Sequence, residues 1–414
     1  MNLLSGLLGR GKKGVMEAEW IAPLNESITS QLAVGYLDEE SIVLGTSGGK
    51  IYALNASGKI KWKFSAGKSA AKEEFFFMEN SGSGKLKSTS LIADIDKNGK
   101  GEVIFGSEDG ILYALDCKGA LLWKYKSKDS ISGSAFAGDI DNDGKPEILF
   151  GSNDGTFYAL NSSGKLLWTF SASSGIESEP AIISGKQAQI IFGSNDGTVY
   201  SLNQSGKKLW EFKTKGQITA QPSIADIFND GRTLIIIGSS DSSIYALDDG
   251  GNIIWSYKTE GRIFSKAVLA DINNDSKKEV IFGSCDDKVH ILSSSGNKFW
   301  DYETNFWVVA APLVGDFNDD KKMELAVSSY DHSLYILEAE GKYTMEYIPG
   351  IAGITGQSGH YTDLAISQPG SYSGNVLYEY RADGIITSQA ALSDNGIVVS
   401  TDTGKLYKLR YKNL

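Results

Sequence analysis

The sequence predicts an all-β fold: an eight-bladed β-propeller of four-stranded antiparallel blades, its ring closed by an N-terminal strand that completes the last blade. Three observations carry this prediction. The segment IIFGSNDGTVYSLNQSGKKLWEF (Ile190 to Phe212) occurs eight times, six of them in close form. Its aromatic position, Tyr52, Tyr113, Tyr158, Tyr200, Tyr245, His290, Tyr335 and Tyr407, returns at about 45 residues with two longer intervals, which is the period of a propeller blade. Finally, Glu17 to Ile21 reads as a lone fourth strand, whereas the last copy stops after its third strand near Arg410. A ring sealed in this way leaves few free sheet edges.

Each unit resolves into strands a to d. In the unit from Ile218 to Tyr257 these are ITAQPSIAD, LIIIGSS, SIYALD and NIIWSY, short β-branched and aromatic runs separated by Gly, Asp, Asn and Ser. The b–c turn (Ser-Asn-Asp-Gly) and the c–d turn (Asn-x-Ser-Gly) supply residues that tolerate positive φ in tight hairpins. Strand d carries Trp20, Trp62, Trp123, Trp168, Trp210, Trp255 and Trp300, one for each of seven blades. Two segments compete for strand d of the remaining blade. Thr344 to Tyr347 keeps the regular interval, and Leu377 to Gln389 mirrors Leu209 to Gln221. A partial ninth blade from Asp363 to Arg381 is a third reading.

With 414 residues, eight Trp, 17 Phe and 19 Tyr, the repeat is expected to form one large domain over residues 16–414, after a tail of residues 1–15 and with insertions near 65–88 and 348–374. The start, MNLLSGLLGRGKKG, places its apolar run before its basic residues, the reverse of a secretory signal, so a cytoplasmic location is the default expectation. No stretch approaches a membrane span. Cys117 and Cys285 fall in blades on opposite sides of the ring, too far apart for a bridge. The net charge of −11, without a basic patch interleaved with aromatics, argues against nucleic acid.

The chemistry lies in the a–b loops. Four carry acids or amides in one register: Asp94, Asp96, Asn98 and Glu102; Asp139, Asp141, Asp143 and Glu147; Asp271, Asn273, Asp275 and Glu279; Asp316, Asn318, Asp320 and Glu324. Oxygens at positions 1, 3, 5 and 9, with the carbonyl of position 7 (Lys100, Lys145, Lys277 or Lys322), suit a hard cation such as Ca²⁺, up to four ions in all. The last acid comes at position 9 and strands flank the loop, so it is not an EF-hand. Asp and Asn are also ordinary turn formers, which is the competing reading. A fifth copy, Asp226 to Gly231, has Phe228 at position 3 and Leu234 at position 9 and is expected to hold no metal. The six b–c turn acids Asp109, Asp154, Asp196, Asp241, Asp286 and Asp331 read as turn stabilisers or as a ring attracting a cationic partner.

The segment Tyr-Ala-Leu-Asn-x-Ser-Gly-Lys-x-x-Trp resembles the tryptophan-docking repeat of PQQ-like quinoprotein propellers and of outer-membrane-assembly lipoprotein propellers. The acidic loops resemble the calcium loops of FG-GAP and VCBS repeats. These resemblances imply a propeller with adhesive or scaffolding relatives, and they offer an extracellular or cell-surface location as the alternative to the cytoplasm. Quinoprotein dehydrogenases of this resemblance carry an adjacent cysteine pair. This chain has none, and no PQQ is expected.

Enzyme signatures fail individually. Ser81 to Lys85 lacks the Ser or Thr of a phosphate loop, no G-x-S-x-G elbow occurs, and His290, His332 and His360 are dispersed. The expectation is therefore a non-enzymatic, monomeric scaffold that binds a protein or a glycan, the alternative being an enzyme or small-ligand protein using the channel mouth. Aligned first strands place Gln31, Thr89, Ser134, Glu179, Gln221, Lys266, Ala311 and Gln389 around that channel. Loops that depart from a repeat are where scaffolds place function, so Phe75, Phe76, Phe77, Met78 and Trp307 are the expected partner contacts.

Overall fold

A computed structural model describes residues 14–67, 85–185, 188–344 and 371–413. Among these residues, eight four-stranded antiparallel sheets form the blades. Blade 5 shows the plan: Ser223–Ala225, Leu234–Ser239, Ser243–Leu247 and Ile253–Lys258 pair in sequence order. Strands b and c are apolar because both faces are covered by neighbouring blades, and eight apolar clusters result, one between each pair of adjacent blades.

The repeated Tyr-Ala-Leu has a separate task at each residue. A bulge between its Ala and Leu brings the Ala opposite the Trp of strand d, as in Ala246 and Trp255 or Ala53 and Trp62. The Trp then reaches into the next blade, where its Nε1 donates to a c–d turn carbonyl. Trp62 bonds Cys117 O at 2.9 Å, Trp168 bonds Gln204 O at 2.9 Å and Trp255 bonds Ser294 O at 3.1 Å. The glycine of that turn lies under the indole. At Gly206 φ is +77°, and a Cβ would stand 2.5 Å from Trp168, so the repeat's Gly is fixed both by backbone and by space.

The ring closes as the sequence predicts. Gly14–Pro23 pairs with Lys405–Asn413 to complete blade 8, setting Trp20 opposite Lys408. Trp20 docks on Ala56 O of blade 1 at 3.1 Å, and the fully buried Lys408 donates to the same carbonyl at 3.2 Å while pairing with Asp394 at 3.3 Å. A lysine thus replaces the repeat's Ala at the one blade assembled from both chain ends.

Blade 7 settles the competing strands. Val376–Arg381 pairs with Ser333–Glu338, whereas Lys342–Thr344 forms a two-stranded ribbon with Ser371–Ser373. Residues 345–370, including most of the alternative strand and the first part of the ninth-blade reading, lie outside the described residues. The missing Trp has a physical reason. Strand d of blade 7 faces blade 8, whose third and fourth strands come from opposite chain ends and share no c–d turn, so there is no turn carbonyl for an indole to meet. Tyr378 takes the position and packs 5.2 Å from Tyr411.

Candidate functional site

The a–b loops and c–d turns emerge at one end of the blades, the d–a loops and b–c turns at the other. At the first end, all four acidic loops share one conformation. In blade 2, Asn98 N donates to Asp94 Oδ1 at 3.0 Å and to Asp96 Oδ1 at 3.1 Å, Gly99 N to Asp94 Oδ2 at 2.9 Å, and Ile95 N to Glu102 Oε2 at 2.9 Å. Positive φ recurs at positions 4 and 6: Lys97 and Gly99, Asn142 and Gly144, Asn274 and Ser276, Asp319 and Lys321. In three loops, carboxylate oxygens of Asp94, Asp96 and Glu102, of Asp139, Asp141 and Glu147, and of Asp316, Asp320 and Glu324 come within 4.8 Å of one another. In the loops of blades 6 and 7, Asn273 and Asn318 also donate to the terminal glutamate, at 3.2 and 3.1 Å.

The four glutamates are buried, and among the described residues no Lys or Arg forms an ion pair with any acid of these loops. Burial and the neighbouring aspartates raise Glu102 and Glu147 above the usual carboxylate range and push Glu279 and Glu324 up to about 7. A buried glutamate crowded by exposed aspartates, without a basic partner, is costly to ionise unless a cation joins it.

Blade 5 supplies the internal comparison. Its loop keeps the fold, with Asp230 N and Gly231 N donating to Asp226 at 3.2 and 2.7 Å, but it lacks the ligands at positions 3 and 9. Here Arg232 donates to Asp230 from Nε at 2.9 Å and from Nη2 at 2.6 Å, and its guanidinium lies 5.0 Å from the ring centre of Phe228. In this loop, with its oxygen set incomplete, a guanidinium lies against the remaining aspartate.

At the opposite end the b–c acids are engaged internally. Asp154 accepts from Lys128 N at 3.2 Å and Tyr158 Oη at 2.8 Å, Asp241 from Lys215 N at 3.0 Å and Tyr245 Oη at 2.8 Å, and Asp331 from Asn305 N at 2.9 Å and Tyr335 Oη at 2.6 Å. Each ties a turn to its own Tyr and to the preceding d–a loop, and this explains the repeat's Tyr. His290 substitutes for that Tyr, its Nε2 3.0 Å from Asp286 in a buried pair.

On this face Trp307 is 43% exposed and stacks on the equally open Phe306 with centroids 5.1 Å apart, while Phe264 stands exposed on the next blade. The loop backbone is ordinary: Thr304 Oγ1 donates to Phe306 O at 2.5 Å as Thr259 and Thr214 do to Gly261 O and Gly216 O at 2.8 Å. Phe306 therefore stands where its neighbouring blades have Gly. That break was visible in the repeat, but aligning strands alone did not single it out. Phe75 to Met78 lie outside the described residues.

Of the aligned positions, Gln221, Lys266, Ala311 and Gln389 line one cavity. Gln221 Nε2 donates to Glu179 Oε1 at 2.7 Å, Gln31 Nε2 to Thr387 O at 3.3 Å, and Gln389 N to Gln31 Oε1. Burial pushes the Glu179 carboxyl up to about 7 from an ordinary value near 4.5. The folded state then holds a proton that the unfolded state has released, so stability declines as pH rises from 4.5 to 7. Glu179→Gln is expected to match wild type near pH 4 and to exceed it by about 3 kcal/mol near pH 8 in urea denaturation. Equal stability at both pH values would show that the channel solvates this carboxylate fully.

Comparison with known proteins agrees with the architecture. BamB from Moraxella catarrhalis superposes with a TM-score of 0.65 at 17% identity, covering 97% of this chain and 99% of that one. The computationally designed Ika8 protein gives 0.65 at 15% identity over 97% and 100%, and Sqt1 of Saccharomyces cerevisiae 0.64 at 12% identity over 97% and 100%. No curated protein sequence matches the chain. Residues 72–134 match the family of the lambda-carrageenase β-propeller domain. A larger match covers residues 108–274 and 153–359 and bears the description outer membrane protein assembly factor BamB. It corrects the cytoplasmic default, which rested only on the order of residues at the start, and points to the outer membrane and periplasm. Because the match spans at least half of the sequence and rests on the blade repeat itself, the chain belongs to the family of the outer membrane protein assembly factor BamB.

Proposed function

We propose that the chain is an interaction scaffold that binds a protein partner on the d–a face of blades 6 and 7 and is stiffened on the opposite face by calcium. The observation that carries the first part is the exposed Phe306–Trp307 stack beside Phe264. Aromatic side chains grouped on a rigid loop, open to water on one side, are the residue types that dominate interface energetics. Nothing in the blade requires them, since Gly216 and Gly261 serve the same loop elsewhere. Phe75 to Met78 remain a second candidate contact, from the sequence alone.

The test is a quantitative pull-down from envelope extract of the source cell, comparing wild type with Phe306→Ser/Trp307→Ser and with a deletion of residues 70–84. The double variant is expected to reduce recovery of the main partner by about tenfold or more without altering the melting temperature. Undiminished recovery would remove the patch from the interface.

For the second part, Asp94, Asp96, Asn98, the carbonyl of Lys100 and Glu102 would hold one ion, and the corresponding residues of blades 3, 6 and 7 would hold the others. The set is entirely oxygen, as Ca²⁺ prefers. Bound calcium would supply the positive charge that Arg232 supplies in blade 5, tying each loop to the base of strand b through the buried glutamate. Four ions would offset eight charges against the net −11.

A further inference from the structure

The channel between the two faces carries a further feature. A cavity of about 530 Å³ opens among the first strands, lined by Lys266 and Lys278 of blade 6, by the amides of Gln221 and Gln389, and by apolar side chains including Ile224 and Leu269. That volume is within the range of small-molecule sites. Neither lysine forms an ion pair among the described residues. The nearby carboxylate, Glu179, is close enough to feel Lys266, yet its hydrogen bond goes to Gln221. The two positions are neutral in the adjacent blades: Gln221 and Ala311 align with Lys266, and Thr233 and Met323 with Lys278. An acidic protein has therefore placed two ammonium groups outside any ion pair along a partly apolar cavity, Lys266 before strand a of blade 6 and Lys278 beyond its far end, where Ala270 pairs with Glu279.

We propose that the axial channel binds a small organic anion, a carboxylate or phosphate group carried on an apolar body. Lys266 would meet the anionic group, the amides of Gln221 and Gln389 would donate to its remaining oxygens, the Ile224 and Leu269 wall would cover the body, and Lys278, beyond the far end of the strand, would add only its longer-range charge. A purely inorganic anion would leave that wall wet. A neutral molecule of the same shape would leave both ammonium groups without a partner.

Isothermal titration calorimetry of the full-length chain tests this with four probes: 2-naphthoate, 2-naphthyl phosphate, the neutral 2-naphthalenemethanol, and inorganic phosphate. The two naphthyl anions are expected to bind at least tenfold more tightly than the alcohol or inorganic phosphate. Lys266→Gln is expected to weaken naphthyl-anion binding about tenfold, the effect of losing one charge-assisted hydrogen bond, and Lys278→Gln, at the far end of the strand, to weaken it less. The proposal is overturned if the alcohol binds as well as the anions, if no heat is seen at millimolar ligand, or if Lys266→Gln binds as wild type does. Loss of binding in Phe306→Ser/Trp307→Ser instead would assign the heat to the exposed face. The channel and the aromatic patch share no residue, so either reading can fail alone.

Discussion

Removing calcium is expected to lower the melting temperature by about 12 °C, the largest single effect predicted for this chain. An ion that binds only the folded state stabilises it by RT ln(1 + [Ca]/Kd), about 2.7 kcal/mol per site at a free concentration one hundred times Kd. Spread over the unfolding entropy of a chain this long, that is about 3 °C for each of four sites. Scanning calorimetry in excess calcium and in EDTA, with metal content measured on the purified protein, provides the reading. Glu324→Gln removes the buried ligand of one loop and is expected to abolish about a quarter of the calcium-dependent shift. Arg232→Gln is expected to leave that shift intact and to destabilise slightly in either buffer, because blade 5 has no ion to lose. Identical melting in calcium and EDTA, with no metal bound, would reduce the loops to turns held by their Asp and Asn side chains.

The repeat made the fold readable because its residues answer to neighbours at fixed positions. Trp62 and Gly119 are written into the sequence together since the indole of one blade lies on the turn of the next. The displaced strand around Trp20 was legible for the same reason: a strand d without its own strand c has to find one. Strand d of blade 7 stayed ambiguous because the docking that defines the motif is absent there, and pairing through Ser333–Glu338 decides it. The acidic loops were legible as clusters, whereas Arg232 acting as a built-in cation was not, since a guanidinium two residues from an aspartate reads as an ordinary surface pair. The b–c acids illustrate the opposite limit. Their regularity suggested a charged ring, but the Tyr and loop N–H groups that engage them lie in other strands and loops of the fold. Phe306 was hidden by attention to channel positions, although a Phe where adjacent blades have Gly was the available signal.

Trp300→Ala is expected to cost about 3–5 kcal/mol, the usual range for truncating a buried aromatic. Among the seven docking tryptophans this one alone is fully buried. Its Nε1 donates to Ala339 O at 3.2 Å, and Gly341, 2.9 Å from the same nitrogen at its Cβ position, starts the extra ribbon of Lys342–Thr344 and Ser371–Ser373 beside it. The ribbon explains the burial: Gly374, which follows it, packs against Tyr302 of the same strand d. Trp123, half-buried and bonded to Ser162 O at 3.0 Å, is expected to cost about half as much when truncated, since less apolar area leaves water. Trp300→Phe retains most of the packing and gives up one hydrogen bond, for a loss of about 1 kcal/mol. Urea denaturation of the three variants tests the ordering, and an equal cost for Trp300→Ala and Trp123→Ala would deny the ribbon any part in stability. The complementary substitution, Tyr378→Trp, restores the repeat's residue where blade 8 offers no turn carbonyl, and it is expected to bring no gain: a docking tryptophan stabilises through the neighbour it reaches, and at the seam of the ring that neighbour is missing.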